Sequence, residues 1–297
     1  MVETNLEAFT GLALYTAAAE KSALAVIDAY STSFGTAVSL LAPKYRQHVA
    51  NIYALVRVAD EVVDGSAQEA KDQGGAVDPS SAIDELEKET YRAIRAKYST
   101  NLVVHAFAKT ANEAGIGRDL IKPFFDSMRM DLWKTKHDQA SFEKYIYGSA
   151  EVIGLMCLKV FLIGENYSTA EVTQLTQGAR ALGSAFQKVN FLRDLAADNK
   201  GLGRSYFPGL DPKKLTDAKR DELVADIRKD LKIAASTLRL LPKGAQKAVG
   251  TAQMLFQVLN DLVAITPANK LMQTRVRVPD WYKLIMVVRV VFGWFPK

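Results

Sequence analysis

Asp60 and Asp64 lie four residues apart in a segment that is otherwise almost entirely apolar. Acidic residues fill 33 of 297 positions, so roughly three or four pairs at this spacing are expected by chance when template matches are counted. The surroundings of this pair set it apart. On a helix that turns about 100° per residue, one narrow stripe holds both acids and two further polar side chains: Tyr53, Arg57, Asp60 and Asp64. A helix that is apolar elsewhere is buried, and because buried charges without partners are costly, the stripe is predicted to face an internal cavity.

A second polar stripe follows more than a hundred residues later. Gln187, Asn190, Asp194 and Asp198 fall within about 80° of one another around a helix, and their neighbours are mostly apolar. Arg193 lies beside the stripe. The loop after it contributes further groups that can bind an anion: Lys200, Arg204 and Tyr206.

Two buried acidic stripes in one chain predict a metal site. Carboxylates about 6 Å apart repel by roughly 3 kcal/mol at an effective dielectric of 20, and a divalent cation reverses that cost. Carboxylate and amide oxygens select Mg²⁺, or Mn²⁺, over zinc. Magnesium binds readily through a few carboxylates together with substrate phosphates. The predicted ligands are Asp60, Asp64, Asn190, Asp194 and Asp198.

Sulfur and histidine chemistry are not predicted. The single cysteine, Cys157, excludes an internal disulfide and a multi-cysteine zinc site, and is expected to be a small buried residue. His48, His105 and His137 lack metal-ligand spacing and are expected to be surface histidines or hydrogen-bonded core histidines. No dinucleotide fingerprint or phosphate loop is present in the sequence.

Helical periodicity extends over nearly the whole chain, and hairpin signals are scarce. The apolar fraction of 48% supports a sizeable core. Polar loops are predicted at 65–81 and 201–212, and nothing marks a domain boundary, so residues 1–297 are predicted to form one all-α domain. The predicted helices are Tyr45–Asp64, Ser81–Tyr98, Leu102–Glu113, Arg118–Leu132, Phe142–Gly164 and Thr169–Lys200, with two or three more after Lys213.

Charge and hydropathy suggest an anionic partner and no membrane span. The net charge is +5, which suits a phosphorylated substrate or anionic lipid, and we expect no nucleic-acid partner. Glu3 and Glu7 argue against a secretory signal. The most apolar window, 145–164, contains two charges and is not expected to span a bilayer. We expect a cytoplasmic protein, with residues 281–295 either seated peripherally on the inner face of the membrane or packed as a terminal core helix.

Four segments, in order, resemble the squalene and phytoene synthases. Asp60-Glu-Val-Val-Asp64 and Asn190-Phe-Leu-Arg-Asp194-Leu-Ala-Ala-Asp198 are similar to the two aspartate-rich motifs of that family. Ser31-Thr-Ser33-Phe34 is similar to its diphosphate-contacting motif, and Gly203-Arg204-Ser-Tyr206-Phe207-Pro208 to its arginine-tyrosine segment. Arg275-Val-Arg277-Val-Pro279 resembles the closing segment of bacterial phytoene synthases. The resemblance covers about residues 30–279.

The resemblance implies a single-domain isoprenoid-synthase helical bundle around a central cavity. It implies that the five oxygen ligands hold diphosphate-bridging Mg²⁺, with no NADPH required. Tyr145 matches a tyrosine near the carbocation of related enzymes, and its alternative is a core aromatic. The residues implied to bind or orient the substrate diphosphates are Ser31, Ser33, Phe34, Tyr53, Arg57, Gln187, Arg193, Lys200, Arg204 and Tyr206.

The implied reaction is head-to-head condensation of two geranylgeranyl diphosphates to phytoene through a cyclopropyl diphosphate. Dehydrosqualene or squalene synthesis from farnesyl diphosphate is the alternative, because Ser149 and Glu151 replace small apolar residues expected beside the substrate tunnel. A terpene cyclase or chain-elongating prenyltransferase shares the metal chemistry. A non-catalytic helical membrane-surface protein is the rival from another class. Glu61 replaces a second aspartate of the first motif but is expected to point about 100° away from the stripe.

Overall fold

The computed structural model describes residues 11–197, 204–211, 214–279 and 290, with the side chains of 32–34, 196 and 197 excepted. Within these residues the chain is helical, and an isolated bridge between Lys136 and Ser205 is the only β pairing. The all-α class is therefore confirmed. The helices are α1 Leu12–Tyr30, α2 Thr32–Ser39, α3 Pro43–Asp64, α4 Ser66–Asp72, α5 Pro79–Ala96, α6 Leu102–Ala114, α7 Arg118–Asp131, α8 Gln139–Ile146, α9 Val152–Phe161, α10 Thr169–Ala197, α11 Asp217–Thr237, α12 Lys243–Ile265 and α13 Ala268–Leu271.

Helix α3 ends at Asp64 as the sequence predicts and begins at Pro43, two residues before the predicted start. Pro43 occupies the first turn, where its missing N–H leaves no hydrogen bond unmade. Gly65 follows the last residue with φ +146°, a conformation that favours glycine. Between them Ile52, Leu55 and Ala59 are buried, so the face opposite the acidic stripe packs into the core as predicted.

Two of the predicted boundaries are wrong. The segment 65–81, predicted as a loop, contains the short exposed helix α4. The single helix predicted over Phe142–Gly164 is divided by a π-helical turn, Tyr147–Glu151, between α8 and α9. At this turn a Cβ on Gly148 would lie 2.1 Å from the carbonyl oxygen of Pro123 in α7. The extra residue of a π-turn lets the chain pass this close contact without ending the helix.

The core forms two large hydrophobic clusters with the cavity between them, and a small third cluster of alanines from α1, α3 and α6. The first cluster is built mainly from α3, α5, α6, α7 and α9. The second is built from α8, α10, α11 and α12. Helices α9 and α10 pack closely, because Gly154 faces the carbonyl of Ala179 and Gly183 faces the carbonyl of Ala150.

Helix α12 is long and apolar enough, by length and composition alone, to cross a membrane. From the sequence we placed the most apolar window at 145–164 and did not predict that residues 243–265 form a helix of this length and composition. In the structure α12 packs against α10 and α11, and its polar residues Gln253 and Asn260 are buried with their amides donating to backbone carbonyls of α11. Packing within the bundle is sufficient to explain its composition.

Substituting Gly183→Ala should destabilise the protein by about 1–3 kcal/mol, because the added methyl group would lie 2.6 Å from the carbonyl oxygen of Ala150. The free energy of unfolding in urea measures this. Gln177→Ala, at an exposed position of the same helix, is the matched control and should change stability by less than about 0.5 kcal/mol. Equal stability of the two variants would contradict the close packing of α9 on α10.

Candidate active site

A cavity of about 1170 Å³ runs between α3, α9, α10, α11 and α12. Eleven of the residues predicted from the sequence line it: Ser31, Tyr53, Arg57, Asp60, Asp64, Tyr145, Gln187, Asn190, Arg193, Asp194 and Tyr206. Arg204 lies behind this wall. The structure places Ser33 and Phe34 in α2 without describing their side chains, and Asp198 and Lys200 lie outside the described residues. The two acidic stripes, more than a hundred residues apart in sequence, therefore face one space.

Asp60 is the most strongly perturbed acid of the first stripe. Its pKa is raised to about 8, mainly by burial and also by the charges of Asp64 and Asp131, while Arg57 opposes the shift. Two carboxylates that approach without a cation favour the protonated form. The electrostatic conditions predicted for a metal site are therefore present at this end of the cavity.

Arg57 is held at the cavity wall by groups on two helices. Its guanidinium pairs with Glu61 one turn later and lies 4.4 Å from the ring centroid of Tyr30 at the end of α1. Glu61 therefore orients Arg57, a role that the sequence analysis did not give it. The Nε atom of Arg57 is buried and has no hydrogen-bond partner among the described residues, so a donor is left available in the cavity.

Asp194, in the second stripe, is bracketed by two arginines. Arg193 donates from Nε at 3.0 Å and from Nη2 at 2.6 Å to its two oxygens. Arg275, from the segment after α13, approaches from the other side, with Nε 2.6 Å from Oδ1 and Nη2 3.3 Å from Oδ2. The sequence analysis noted the segment of Arg275 but did not predict this contact.

Asn190 presents an unused acceptor to the same cavity. Its Oδ1 is buried and accepts no hydrogen bond from any described residue, although buried polar atoms are rarely left unpaired. No three carboxylate, histidine or cysteine side chains in the described ranges converge as a ready-made metal cage. A group of separate oxygen ligands that needs substrate phosphates to complete its coordination fits Mg²⁺ better than a closed zinc site, and the unpaired Asn190 oxygen fits the same ion.

Arg204 joins the ends of two helices behind the acidic stripe. The side chain is buried, with Nη1 donating to Asp64 at 2.8 Å and Nη2 donating to the backbone carbonyl of Asp131 at 2.7 Å. It therefore contacts the carboxyl ends of α3 and α7 together. This geometry makes Arg204 a residue that positions Asp64, whereas the sequence analysis predicted that it binds diphosphate.

Asp131 is a site residue that the sequence analysis missed. Tyr145 donates to it at 2.7 Å and Tyr206 at 3.3 Å. Burial is the main cause that raises its pKa to about 7, and the tyrosine hydrogen bonds oppose the shift. A signal existed, since Asp131 continues the buried helical stripe of Leu120, Phe124 and Ser127.

Aromatic rings cover the wall between the two polar clusters. Phe191 and Tyr206 stack with centroids 3.9 Å apart, and Tyr145 lies 5.2 Å from Tyr206. Tyr145 is buried and also lines the cavity, so it is a core aromatic that faces the site, and its place near a carbocation stays a prediction. His137 lies against Tyr145 and Tyr206 and is buried, so it is a core histidine and not a surface one.

The opposite end of the cavity is apolar. Ile153, Cys157, Phe161 and Leu175 are among the side chains that line it. Ser149 also lines the cavity, as expected, and its hydroxyl is buried without a partner in the described structure. Glu151 does not: it turns outward and pairs with Arg180 at 2.6 Å. Of the two polar residues expected beside the tunnel, only Ser149 therefore lines the cavity.

The fold and the cavity, with acidic helices at one end and an apolar tunnel at the other, define an all-α isoprenoid synthase. A family model described as squalene/phytoene synthase matches residues 27–282. The chain belongs to the squalene/phytoene synthase family, a family of prenyltransferases.

Sequence relatives and solved structures agree with this family. The chain is 30% identical over 182 residues to phytoene synthase 2, chloroplastic, of Oryza sativa subsp. japonica, which covers 60% of this chain and 43% of the rice protein. It is 26% identical to 15-cis-phytoene synthase of Enterobacter agglomerans, in a match that covers 76% of this chain and 80% of that protein. The chain thus spans less than half of the rice relative. The structure of a dehydrosqualene synthase matches with a TM-score of 0.75 at 20% identity and covers 93% of this chain and 96% of that one. The structure of a squalene synthase from Alicyclobacillus acidocaldarius matches with a TM-score of 0.72 at 15% identity and covers 91% of this chain and 99% of that one.

The raised pKa of Asp60 predicts that Asp60→Asn gains stability relative to the wild type as pH rises. Because the folded-state pKa is about 8 against a usual 3.8, the folded protein binds more protons than the unfolded chain between these values, and wild-type stability falls with rising pH. The difference between variant and wild type should grow from pH 5 to pH 8 and then level off. Urea unfolding in chelator measures it.

Asp78→Asn is the matched control for this experiment. Asp78 caps α5, and hydrogen bonds from Ser81 lower its pKa. Asp78 is therefore fully ionised above pH 5, and the stability difference between Asp78→Asn and the wild type should not change across the same pH range. A flat difference for Asp60→Asn as well would contradict a buried, costly charge at Asp60.

Proposed function

We propose that this protein is a Mg²⁺-dependent synthase that joins two geranylgeranyl diphosphates head to head to give phytoene. The supporting observation is the single cavity of about 1170 Å³ in which both acidic stripes meet at one end of an apolar tunnel. Sites for one small ligand usually measure about 300–1,000 Å³, so this volume favours two prenyl substrates over one. The phytoene synthases among the sequence relatives favour the 20-carbon substrate.

In this proposal, Asp60, Asp64, Asn190 and Asp194, with Asp198, would hold the ions. Bound Mg²⁺ would supply charge stabilisation to the departing diphosphate. Arg57, Arg193 and Arg275 lie beside these ligands and can bind phosphate oxygens bidentately. Arg204 keeps Asp64 in place from behind the wall. The side chains therefore bind and orient the leaving group in a cavity from which the prenyl tails exclude water.

The carbon chemistry would take place beside the aromatic wall. Loss of diphosphate from one substrate leaves an allylic cation, which the double bond of the second substrate attacks, and loss of a proton closes a cyclopropyl diphosphate. A second ionisation, rearrangement and proton loss would give the C1–C1′ linked product without a reductant, so no NADPH is proposed. The faces of Tyr145, Phe191 and Tyr206 can stabilise the cations, and Asp131 holds the hydroxyls of both tyrosines.

The second candidate is dehydrosqualene or squalene synthesis from the 15-carbon substrate. The similar folds of a dehydrosqualene synthase and a squalene synthase support it, and so does Ser149, whose hydroxyl interrupts the apolar wall. We also propose a cytoplasmic protein with peripheral membrane contact through 281–295, a segment of which the structure describes only Val290, a buried residue. A hydrocarbon product would be handed to the membrane there.

Asp194→Asn should lower turnover at least about 100-fold, because the Mg²⁺ that would stabilise the departing diphosphate loses a carboxylate ligand. Helical circular dichroism should be unchanged, and the rise in Tm on adding Mg²⁺ together with a diphosphate should disappear. Asp261→Asn, which removes an exposed pair with Arg228, is the control and should keep both properties. Full activity of the wild type in excess chelator would refute metal dependence.

Incubation of the pure protein and Mg²⁺ with each prenyl diphosphate, without NADPH, should yield a 40-carbon hydrocarbon from the 20-carbon substrate. Mass spectrometry identifies the product. A 30-carbon product from the 15-carbon substrate alone would replace phytoene by dehydrosqualene and leave the family assignment intact. Absence of every condensation product from both substrates, the cyclopropyl diphosphate as well as the hydrocarbon, would reject head-to-head condensation.

A further inference from the structure

A second pocket of about 530 Å³ lies at the rear of the bundle, behind the apolar end of the active-site cavity. Leucines from α7 and from the α9 region form its apolar lining: Leu120, Leu155, Leu158 and Leu162. Glu113, Asp119 and Lys159 also line it. Ile163 and Val172, each 36% exposed, contribute further apolar surface. No step of the proposed reaction uses this pocket.

Only Leu158 lines both this rear pocket and the active-site cavity among the described residues. Helix α9 presents Gly154, Cys157 and Phe161 to the cavity and Leu155 and Leu162 to the rear pocket. At 100° per residue these two faces are about 120° apart, and Leu158 lies at their boundary. The partition between the two spaces is therefore thin at this side chain, which is 5% exposed.

The same boundary appears on α10. Its residues Leu175, Gly178 and Leu182 line the cavity, while Val172 and Thr176 line the rear pocket. Helices α9 and α10 are antiparallel neighbours, since residue 150 meets 183 and residue 154 meets 179, and this register brings Leu158 next to Leu175. From Asn190 to Leu175 the helix rises roughly 22 Å, so the partition lies at the end of the tunnel away from the acidic residues.

We propose that the rear pocket is an extension of the prenyl tunnel, separated from it by Leu158, and that Leu158 sets the longest prenyl chain the protein accepts. The occupant would be the terminal isoprene unit of a chain longer than the cavity holds, a branched hydrocarbon that fits against the leucines of the pocket. Continuity through one leucine supports this occupant over an outside partner. The inference rests on the proposed function, because it requires a diphosphate anchored between Asp60 and Asn190.

The test uses binding, so that it does not depend on turnover. Non-hydrolysable thiodiphosphate analogues of the 20-carbon and 25-carbon prenyl diphosphates are titrated calorimetrically with Mg²⁺ into the full-length wild type and variants. Leu158→Ala should improve the affinity for the 25-carbon analogue relative to the 20-carbon one by about tenfold, since one methylene in a fitted apolar site is worth about tenfold or more. Leu155→Ala, which removes the same atoms from the rear pocket without opening the partition, should leave the ratio unchanged.

Each outcome is decisive. An unchanged ratio in folded Leu158→Ala, or an equal change in Leu155→Ala, would overturn the role of Leu158 while leaving the proposed function standing. Failure of the wild type to bind either analogue would reject both. Should Leu158→Ala not fold, Leu158→Val keeps the test, because it removes one methylene from the partition and should shift the ratio in the same direction by a smaller factor.

Discussion

Charge repulsion among the carboxylates that cluster at one end of the cavity is the constraint around which this bundle is organised. Asp60, Asp64 and Asp131 converge from α3 and α7, and burial and mutual repulsion raise the pKa of Asp60 and of Asp131. Arg204 offsets part of this repulsion by binding Asp64 and the end of α7 together. Because a buried charge is tolerated only with partners, the buried Arg204 side chain and the carboxylates that it faces, Asp64 and Asp131, depend on one another.

The apolar tunnel depends on a different kind of contact. Glycines at 154 and 183 let α9 and α10 approach until backbone meets backbone, which fixes the wall that separates cavity from solvent. The π-turn at Tyr147–Glu151 lies at the start of this wall and changes the direction of the side chains that follow. Tyr145, just before the turn, and Ser149, within it, face the cavity, while Glu151 at its end pairs with Arg180.

Much of this arrangement could be predicted from the sequence, for reasons that differ between residues. The stripes on α3 and α10 could be predicted because the 3.6-residue period of a helix places residues on one face independently of tertiary packing, as it does for Tyr53, Arg57, Asp60 and Asp64. Asp131 was missed because its partners, Tyr145 and Tyr206, come from other elements and only tertiary packing brings them together. The outward turn of Glu151 depends on a π-turn, which has no periodic signature in the sequence.

The two arginines on Asp194 link the binding of a cation to the binding of an anion. Any cation that takes this carboxylate must first displace hydrogen bonds from Arg193 and Arg275, so its affinity for the empty site is reduced by their free energy. An anion that engages the same guanidinium groups removes that penalty, and by reciprocity the cation strengthens the anion's binding equally. The two arginines therefore couple the binding of the two ions, so that each ion binds more tightly when the other is already bound.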